Sequence, residues 1–377
     1  MPAAGYVYDP LYLEHAAPGH PERPERLAAI MSYLGESGVL DRLTAIEARD
    51  ATVEDLALVH SDELVARVRE TAESGGAWLD PDTYVAPRSY EAALRAAGGV
   101  LAATDAVLDG AVGSAFCLVR PPGHHATPRR AMGFCLFNNV ALAAAHALAR
   151  RGLERVGVVD FDVHNGNGTQ DAFYTDGRVL YFSTHQHPFY PGTGDWRETG
   201  DGPGRGAIIN VPYPAGYGDD AYLLAYREVS APALRRFQPQ FLLVSAGFDA
   251  HFADPLAQMH LSTVGYYQIA TLLRELADEL CEGRIVLALE GGYDHTALAW
   301  SVQACFDALA GRDFAPDPLG LGPALRVPDP SGLIARIREL HGLAKPTQHG
   351  ARPASAFFQR SARLQPRAGR PRSGLGP

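Results

Sequence analysis

An apolar run that ends in alternating acidic and imidazole side chains constrains the fold of this chain more than any other stretch. Residues 155–168 read RVGVVDFDVHNGNG and carry Asp160, Asp162 and His164 at alternate positions. Because successive side chains of a strand point to opposite faces, all three should lie on one side of a strand's end. Carboxylate oxygen and imidazole nitrogen together suit borderline divalent metals. The stretch predicts either half of a metal site or a polar strand end that caps the next helix.

Similar apolar runs recur along the chain and alternate with segments of helical periodicity. We expect helices near residues 26–34, 53–73, 89–109, 139–151, 219–236, 263–281 and 295–309. We expect strands near residues 115–119, 155–160, 178–185, 207–212, 241–245 and 285–289. This alternation is typical of an α/β fold with a mainly parallel central sheet covered by helices on both faces.

Polar side chains follow four of these strands directly. They cluster around His124, Asp162, Asp249 and Tyr293. Functional groups of open α/β sheets gather at the carboxyl ends of the strands. We therefore expect the four clusters to converge on one crevice.

Composition and charge limit the partners of this chain. Hydrophobic residues make up 46% and charged residues 20%, which is ordinary for a globular protein. The net charge is −10, but residues 345–377 carry seven basic residues and no acidic one, which leaves −17 for the preceding part. We predict one catalytic domain over residues 1–344 and a disordered basic tail, rich in Pro, Arg and Gly, over residues 345–377. The acidic domain disfavours nucleic acid as a partner and can attract cationic substrates.

Cysteine usage and the first residues bear on location. Four cysteines lie apart without a CxxC pair, and the opening MPAAG lacks the basic and apolar segments of a signal peptide. We expect buried thiols, a cytoplasmic protein and no membrane contact. The sequence does not distinguish a monomer from a homo-oligomer.

The polar clusters allow amide hydrolysis if Asp162, His164 and Asp249 bind one divalent metal. Three protein ligands leave a position open for water and substrate, as in catalytic zinc sites. The remaining needs are a base, an acid and an oxyanion donor. The adjacent histidines His124 and His125 can supply the first two, and Tyr293, after two glycines, can supply the third. Imidazoles also need orienting partners, for which the nearby Asp160 and Asn167 are suitable.

Seven motifs in order identify a family resemblance over about residues 6–310. They are HPERPERL at 20–27, RPPGHHA at 120–126, GFCLFNN at 133–139, DFDVHNGNGTQ at 160–170, PGTGD at 191–195, SAGFDAHFADP at 245–255 and EGGYD at 290–294. With them the chain resembles the zinc-dependent histone deacetylase superfamily. Within it, the chain is similar to the class II-like branch of bacterial deacetylase-like amidohydrolases and acetylpolyamine amidohydrolases. Joint occurrence makes the signal specific, whereas any one motif is weak.

The resemblance implies a three-layer arginase-deacetylase α/β fold with one Zn²⁺ per chain on Asp162, His164 and Asp249. It implies that His125 is the general base, and also the acid, and that His124 acts mainly through its charge. It further implies that Asp160 pairs with His124, that Asn167 pairs with His125, and that Tyr293 binds the oxyanion.

The resemblance also implies a narrow channel for the stem of an acylated lysine or acetylated small amine. Phe134 and Tyr190 would flank the channel, Gly133 and Gly292 would let its walls approach, and Arg23 matches an arginine near its foot. A structural K⁺ would lie beside the zinc segment, on Asp160, Asp162, His164, Ser183 and Thr184.

Two positions bear on the enzyme class and the acyl group. Asn167 matches class II-like enzymes, whereas class I enzymes have aspartate. Tyr190 stands where many relatives have phenylalanine, which adds a hydroxyl to the channel wall and leaves the acyl preference open.

Several functional alternatives remain open on the sequence. Acetylpolyamine enzymes place acidic residues at the rim; Leu256 occupies one such position, which favours acyl-lysine, but Asp80 and Asp82 keep polyamine as an alternative. A binuclear manganese ureohydrolase needs bridging carboxylates that Asn165 and Ala250 do not offer. A catalytically silent acyl-lysine reader typically loses a metal ligand or the tyrosine, and here neither is lost.

Overall fold

The central element is an eight-stranded sheet in which every pair of neighbouring strands is parallel. The computed structural model describes residues 4–314, 317–323 and 325–343, so the tail predicted at residues 345–377 lies outside the described residues. The ten strands are β1 Ala4–Val7, β2 Thr44–Ile46, β3 Ala77–Trp78, β4 Tyr84–Val85, β5 Ser114–Cys117, β6 Val156–Asp160, β7 Val179–Gln186, β8 Ile208–Tyr213, β9 Phe241–Ala246 and β10 Ile285–Leu289. The sheet order is β2-β1-β5-β10-β9-β6-β7-β8, and β3 and β4 form a separate antiparallel hairpin.

The helices of the described residues connect these strands and cover the sheet. They are α1 Glu25–Glu36, α2 Val53–Leu56, α3 Asp62–Glu73, α4 Ser89–Leu108, α5 Asn139–Arg150, α6 Asn167–Ala172, α7 Asp219–Ala225, α8 Ala231–Phe237, α9 Thr263–Leu280, α10 His295–Leu309 and α11 Ser331–Leu340. All residues of β5, β6, β7, β8, β9 and β10 are buried, because helices pack on both faces of the sheet. The predicted α/β fold with a parallel, helix-covered sheet is confirmed.

The six strands expected from the sequence form within about two residues of their predicted bounds. The helix expected over residues 53–73 is instead two helices, α2 and α3, with residues 57–61 between them. The helix expected over residues 219–236 contains a π-helical turn at residues 226–230. The loop expected at residues 75–87 contains the β3–β4 hairpin.

Helix caps fix where several site-bearing loops end. Asn138 Oδ1 accepts the N–H of Ala141 at 2.9 Å and starts α5, so the loop after β5 ends there. Asp294 Oδ1 accepts the N–H of Ala297 at 2.8 Å and starts α10. Tyr293 therefore lies in the short loop between β10 and α10.

All four cysteines are free and buried, as expected. Within the described part of the chain, no helix is long and apolar enough to cross a membrane.

Candidate active site

Four loops at the carboxyl edge of the sheet bring the predicted residues together. The loops follow β5, β10, β9 and β6, which are consecutive in the sheet. They carry, in that order, the histidine pair, Tyr293, Asp249 and the segment with Asp162 and His164. Because all four strands are parallel, their carboxyl ends meet at one edge.

Asp162, His164 and Asp249 form a cluster of three metal-ligating side chains. One ligand atom of each lies within 4.8 Å of the others. His164 Nδ1 lies 3.0 Å from Asp162 Oδ1 and 3.2 Å from Asp249 Oδ2. Apart from this contact with His164, buried Asp249 Oδ2 has no hydrogen-bond partner among the described residues, so it keeps a lone pair for a cation. Two buried carboxylates and an imidazole that meet in this way fit a divalent cation.

Two glycines leave room for these carboxylates. A Cβ on Gly247 would lie 2.0 Å from Asp162 Oδ2, and one on Gly291 would lie 2.1 Å from Asp249 Oδ2. The N–H of Gly291 also donates to Asp162 Oδ2 at 2.8 Å. Burial would raise the pKa of Asp162, but the neighbouring His124 and hydrogen bonds from His164 hold it well below its ordinary value. Asp162 is therefore ionised at neutral pH and can bind a cation.

The adjacent histidines have different partners. His124 Nδ1 lies 3.1 Å from Asp160 Oδ2, and His125 Nδ1 lies 2.7 Å from Asn167 Oδ1. Burial disfavours charge on both rings, but the carboxylates of Asp162 and Asp160 outweigh it at His124 and raise its pKa to about 10. At His125 burial lowers the pKa well below its ordinary value, and the charges of His124 and His164 lower it further. His124 is therefore cationic and His125 neutral near pH 7.

The tautomer of neutral His125 follows from its partner. Asn167 Oδ1 can only accept a hydrogen bond, so His125 Nδ1 carries the proton and donates it. The lone pair is then on Nε2, on the ring edge away from Asn167. A neutral histidine in this state can act as a base.

Tyr293 lines the same cavity as the histidine pair. The Asp254 carboxylate accepts the backbone N–H of Tyr293 at 2.6 Å and so holds its loop. Burial raises the pKa of Tyr293 well above its ordinary value, so the hydroxyl stays protonated. The Arg26 guanidinium lies 4.9 Å from the centre of the Tyr293 ring.

Arg26, not Arg23, is the arginine behind the site, which corrects the sequence-based assignment. The Arg23 side chain is 48% exposed and pairs with Glu25 at the surface. Arg26 is fully buried and donates from Nε to the carbonyl of Gly292 at 2.6 Å. The residue i+4 from Arg26 is the buried Ile30, so helical spacing places Arg26 on the buried face of α1.

A cavity of about 230 Å³ leads to the cluster. Of the channel residues expected from the sequence, Gly133, Phe134, Tyr190 and Leu256 line it, together with Asp82, which was expected only on the rim loop. The complete lining is Asp82, Pro122, His124, His125, Gly133, Phe134, Cys135, Asp162, His164, Tyr190, Leu256, Gly291 and Tyr293.

Aromatic rings form the walls of this cavity. The Phe134 ring lies 6.0 Å from the Tyr293 ring, and the Tyr190 ring lies 5.1 Å from the His125 ring, both edge to face. Gly133 has φ +57°, and a Cβ there would lie 2.4 Å from the His125 ring, so only glycine fits. Gly292 does not line the cavity, but a Cβ there would lie 2.9 Å from Phe248 Cβ, so it packs behind the wall.

The residues expected for a potassium site lie beside the metal cluster. Ser183 pairs with Asp160 across β6 and β7. Its hydroxyl is 2.9 Å from His185 Nδ1, and the Thr184 hydroxyl is 3.4 Å from that of Tyr226.

The chain is similar to known proteins over most of its length. The profile of the histone deacetylase domain matches residues 20–309. The chain is 41% identical to a probable deacetylase of Archaeoglobus fulgidus, over 82% of this chain and 87% of that protein. It is 42% identical to a histone deacetylase-like amidohydrolase of Pseudomonas aeruginosa, over 85% and 83%. The crystal structure of the HDA15 HD domain superposes with a TM-score of 0.82 at 38% identity, over 90% of this chain and 96% of that domain.

The matched residues 20–309 contain the four site loops and the residues that line the cavity. The superposition confirms the arginase-deacetylase fold expected from the motifs. The chain belongs to the histone deacetylase family and is a hydrolase of the deacetylase type.

Proposed function

We propose that this protein is a zinc-dependent, class II-like amidohydrolase that removes acetyl or other short acyl groups from acylated lysine in peptides or proteins. One observation carries the proposal: the three-residue metal cluster, the histidine pair and Tyr293 line or adjoin the inner end of one narrow, aromatic-walled cavity. Such a cavity fits a linear alkyl stem with a planar amide at its tip.

Asp162, His164 and Asp249 would hold the zinc ion. Two carboxylates and one imidazole, all buried or nearly so, match a catalytic zinc site with an open position. Zinc bound there would lower the pKa of water and polarise the acyl carbonyl.

His125 would act as the general base. Its Nε2 lone pair is free because Nδ1 donates to Asn167, and its depressed pKa keeps it neutral at pH 7. After taking a proton from the attacking water, it can return that proton to the leaving amine. His124, held cationic by Asp160 and Asp162, would stabilise the negative charge that develops nearby. Asn167 in place of aspartate supports the class II-like assignment.

Tyr293 would donate a hydrogen bond to the oxyanion that forms from the acyl carbonyl. It is suited to this because its hydroxyl remains protonated. Its ring packs edge to face on Phe134, so the hydroxyl is held at the inner end of the channel.

We also propose a structural potassium ion beside the zinc ligands. Asp160, Asp162, His164, Ser183 and Thr184 would hold it, and the pairing of Ser183 with Asp160 across the sheet supports this arrangement. The buried free cysteines suit a reducing compartment, and we propose a cytoplasmic enzyme without nucleic-acid or membrane partners.

Two observations bear on the substrate. Leu256 lines the cavity where an acidic residue would hold a second cationic amine, which favours acyl-lysine. Asp82 also lines it, and among the described residues no arginine, lysine or histidine pairs with its carboxylate, which favours an acetylated polyamine as second candidate. Burial and the nearby Asp80 raise the pKa of Asp82, because both disfavour its negative charge. A cationic amine of the substrate would stabilise that charge.

A fluorogenic acetyl-lysine peptide tests the reaction. The zinc-loaded protein should deacylate the peptide, and Tyr293→Phe should lose most of the rate, about a hundredfold or more, because one oxyanion donor is worth about 3–4 kcal/mol. Full activity in this variant would disprove the role of the tyrosine.

A kinetic comparison of three substrates tests the substrate class. Acetyl-lysine peptides, longer acyl-lysines and N-acetylputrescine should be compared by kcat/KM. A preference above tenfold, about 1.4 kcal/mol, would assign the substrate class.

A further inference from the structure

Glu290 is a buried carboxylate between the histidine loop and the Tyr293 loop. It directly follows β10 and is 0% exposed. Oε2 accepts the backbone N–H groups of Gly123 at 2.7 Å and of His124 at 3.1 Å. Oε1 accepts the Ser245 hydroxyl at 3.2 Å. The carboxylate accepts all three hydrogen bonds, and each of its oxygens has at least one donor.

The contacts of Glu290 reach the backbone of the histidine loop, not the imidazoles. The side chains of Asp160 and Asn167 fix how the two rings turn, but not where their Cα atoms lie. Within the described residues, the N–H groups of Gly123 and His124 donate to no acceptor other than Glu290. Other hydrogen bonds also hold this loop, among them those to the carbonyls of Pro121 and His124, but Glu290 is the described side chain that binds the two consecutive N–H groups just before His125.

The backbone around Glu290 is tied to the other side of the site. Its carbonyl accepts Arg26 Nη2 at 2.6 Å, and the carbonyl of Gly292 accepts Arg26 Nε at 2.6 Å. Between them, the N–H of Gly291 donates to Asp162 at 2.8 Å. The three consecutive residues 290–292 thus contact the histidine loop, Asp162 and Arg26.

We propose that Glu290 is a positioning residue that sets the distance of the His124–His125 pair from Asp162 and Tyr293 through hydrogen bonds to the backbone of the histidine loop. The inference rests on the proposed function only for its kinetic consequence. Glu290 lines no part of the cavity and touches no substrate. The proposed role of Glu290 is to accept hydrogen bonds, so an uncharged side chain of the same shape should perform the same role.

Two substitutions test whether the hydrogen bonds of Glu290, and not its charge, position the histidine loop. In Glu290→Gln, the amide oxygen can still accept both N–H groups and the amide nitrogen can donate to Ser245 Oγ. In Glu290→Ala, two buried N–H groups lose their acceptor. Because a misplacement of about 1 Å can cost about a hundredfold in rate, we expect kcat of Glu290→Ala to fall between tenfold and a hundredfold. KM should stay within threefold, and Glu290→Gln should keep kcat within fivefold.

Amide hydrogen exchange tests the contacts without any substrate. Exchange in residues 118–126 should be faster in Glu290→Ala than in the unmodified protein and unchanged in Glu290→Gln. This measurement remains valid if no acyl substrate is hydrolysed, so a failure of the proposed function and a failure of this inference are distinguishable.

Asp55→Ala is the matched control. Asp55 is also a buried carboxylate and accepts the backbone N–H of Thr52 at 3.0 Å, but it pairs with Arg150 at the far end of α5. This variant should lower Tm and leave kcat, KM and exchange of residues 118–126 unchanged. The proposal is overturned if Glu290→Ala keeps kcat within threefold, if Glu290→Gln loses as much as Glu290→Ala, or if Asp55→Ala reproduces the kinetic loss.

Discussion

Replacing Asn167 with aspartate should move the acid limb of the pH–rate profile to higher pH. The Asn167 Oδ1 atom lies 2.7 Å from His125 Nδ1, and both residues are buried. A carboxylate at this position adds a negative charge next to the imidazole. It therefore favours the protonated form of His125 and raises its pKa.

The size of the pKa shift follows from the distance between the centres of the two charges, which is longer than the 2.7 Å between the nearest atoms because each charge is spread over its group. Unit charges about 4 Å apart interact by about 4 kcal/mol at an effective dielectric constant of about 20, and one pKa unit corresponds to about 1.4 kcal/mol. The upper bound is therefore about three pH units. Burial of the new carboxylate opposes its ionisation and reduces the effect, so we expect the acid limb to move by about one to two pH units.

The sign of the shift follows from the proposed role of His125 as a base. Only neutral His125 can accept a proton, so a raised pKa removes the active form at low pH. The kcat/KM of Asn167→Asp relative to the unmodified enzyme should therefore fall progressively as the pH is lowered. A profile of kcat/KM from pH 5 to pH 9 measures it.

Asn210→Asp is the control for this experiment. Asn210 is a buried asparagine that hydrogen-bonds Asn165, Gln170 and the carbonyl of Glu198 and, among the residues that the structure describes, no histidine. The same charge there should lower stability and leave the acid limb in place. An acid limb of Asn167→Asp that stays in place or moves to lower pH would refute the assignment of His125 as the base.

Three further substitutions test the site and its surroundings. Gly291→Ala should weaken zinc binding at least tenfold in a chelator competition, because a Cβ would lie 2.1 Å from Asp249 Oδ2; unchanged affinity would contradict this packing. Glu22→Ala should lower the free energy of unfolding in urea by about 3–5 kcal/mol, because it leaves two buried guanidinium groups without their carboxylate; a loss under about 1 kcal/mol would be inconsistent with this cluster. Burial opposes ionisation, but Arg120 lowers the pKa of Glu22 to about 2, so this stabilisation is complete above about pH 4.5 and should disappear as the pH falls towards 2. Leu256→Glu should raise the kcat/KM ratio of acetylated polyamine to acetyl-lysine peptide about fivefold to tenfold, whereas Leu256→Gln should not.

The strands and the polar clusters that follow them could be predicted from the sequence because each strand is a short apolar run buried on both faces. All five residues of β6 are buried, and the alternating Asp160, Asp162 and His164 begin at its end. Strand β2 gives no such signal, since its residues Thr44–Ile46 are exposed or half-buried at the sheet edge. Burial on both faces therefore makes a strand of five or more residues recognisable in the sequence, but it is not sufficient for a shorter one, since the four-residue, mostly buried β1 was not among the expected strands.

The break between α2 and α3 could not be read from hydrophobic periodicity, which continues through it. His60 lies in the break, where Nε2 accepts the N–H of Asn138 at 2.8 Å and Nδ1 bonds the carbonyl of Thr127 at 3.1 Å. Both partners are more than 60 residues away in the sequence. The local signals are Ser61, which caps α3 by accepting the N–H of Leu64, and the acidic Asp62 and Glu63 in the first turn of that helix.

The residue types and the order of the strands explain why the sequence points to the candidate metal ligands and catalytic residues but not to Glu290. Along the chain, the site residues come in the order His124, Asp162, Asp249, Tyr293. In the sheet, β10 lies between β5 and β9, so the Tyr293 loop sits next to the histidine loop and separates it from the Asp249 loop. Carboxylate and imidazole side chains indicate metal binding or proton transfer by their chemical type alone. A carboxylate that accepts hydrogen bonds from backbone amides gives no such signal, because every residue except proline offers the same donor. Only the adjacency of β10 and β5 brings Glu290 to the amides of Gly123 and His124. These strands are far apart in the sequence, so their pairing depends on the packing of the whole sheet and cannot be read from either strand alone.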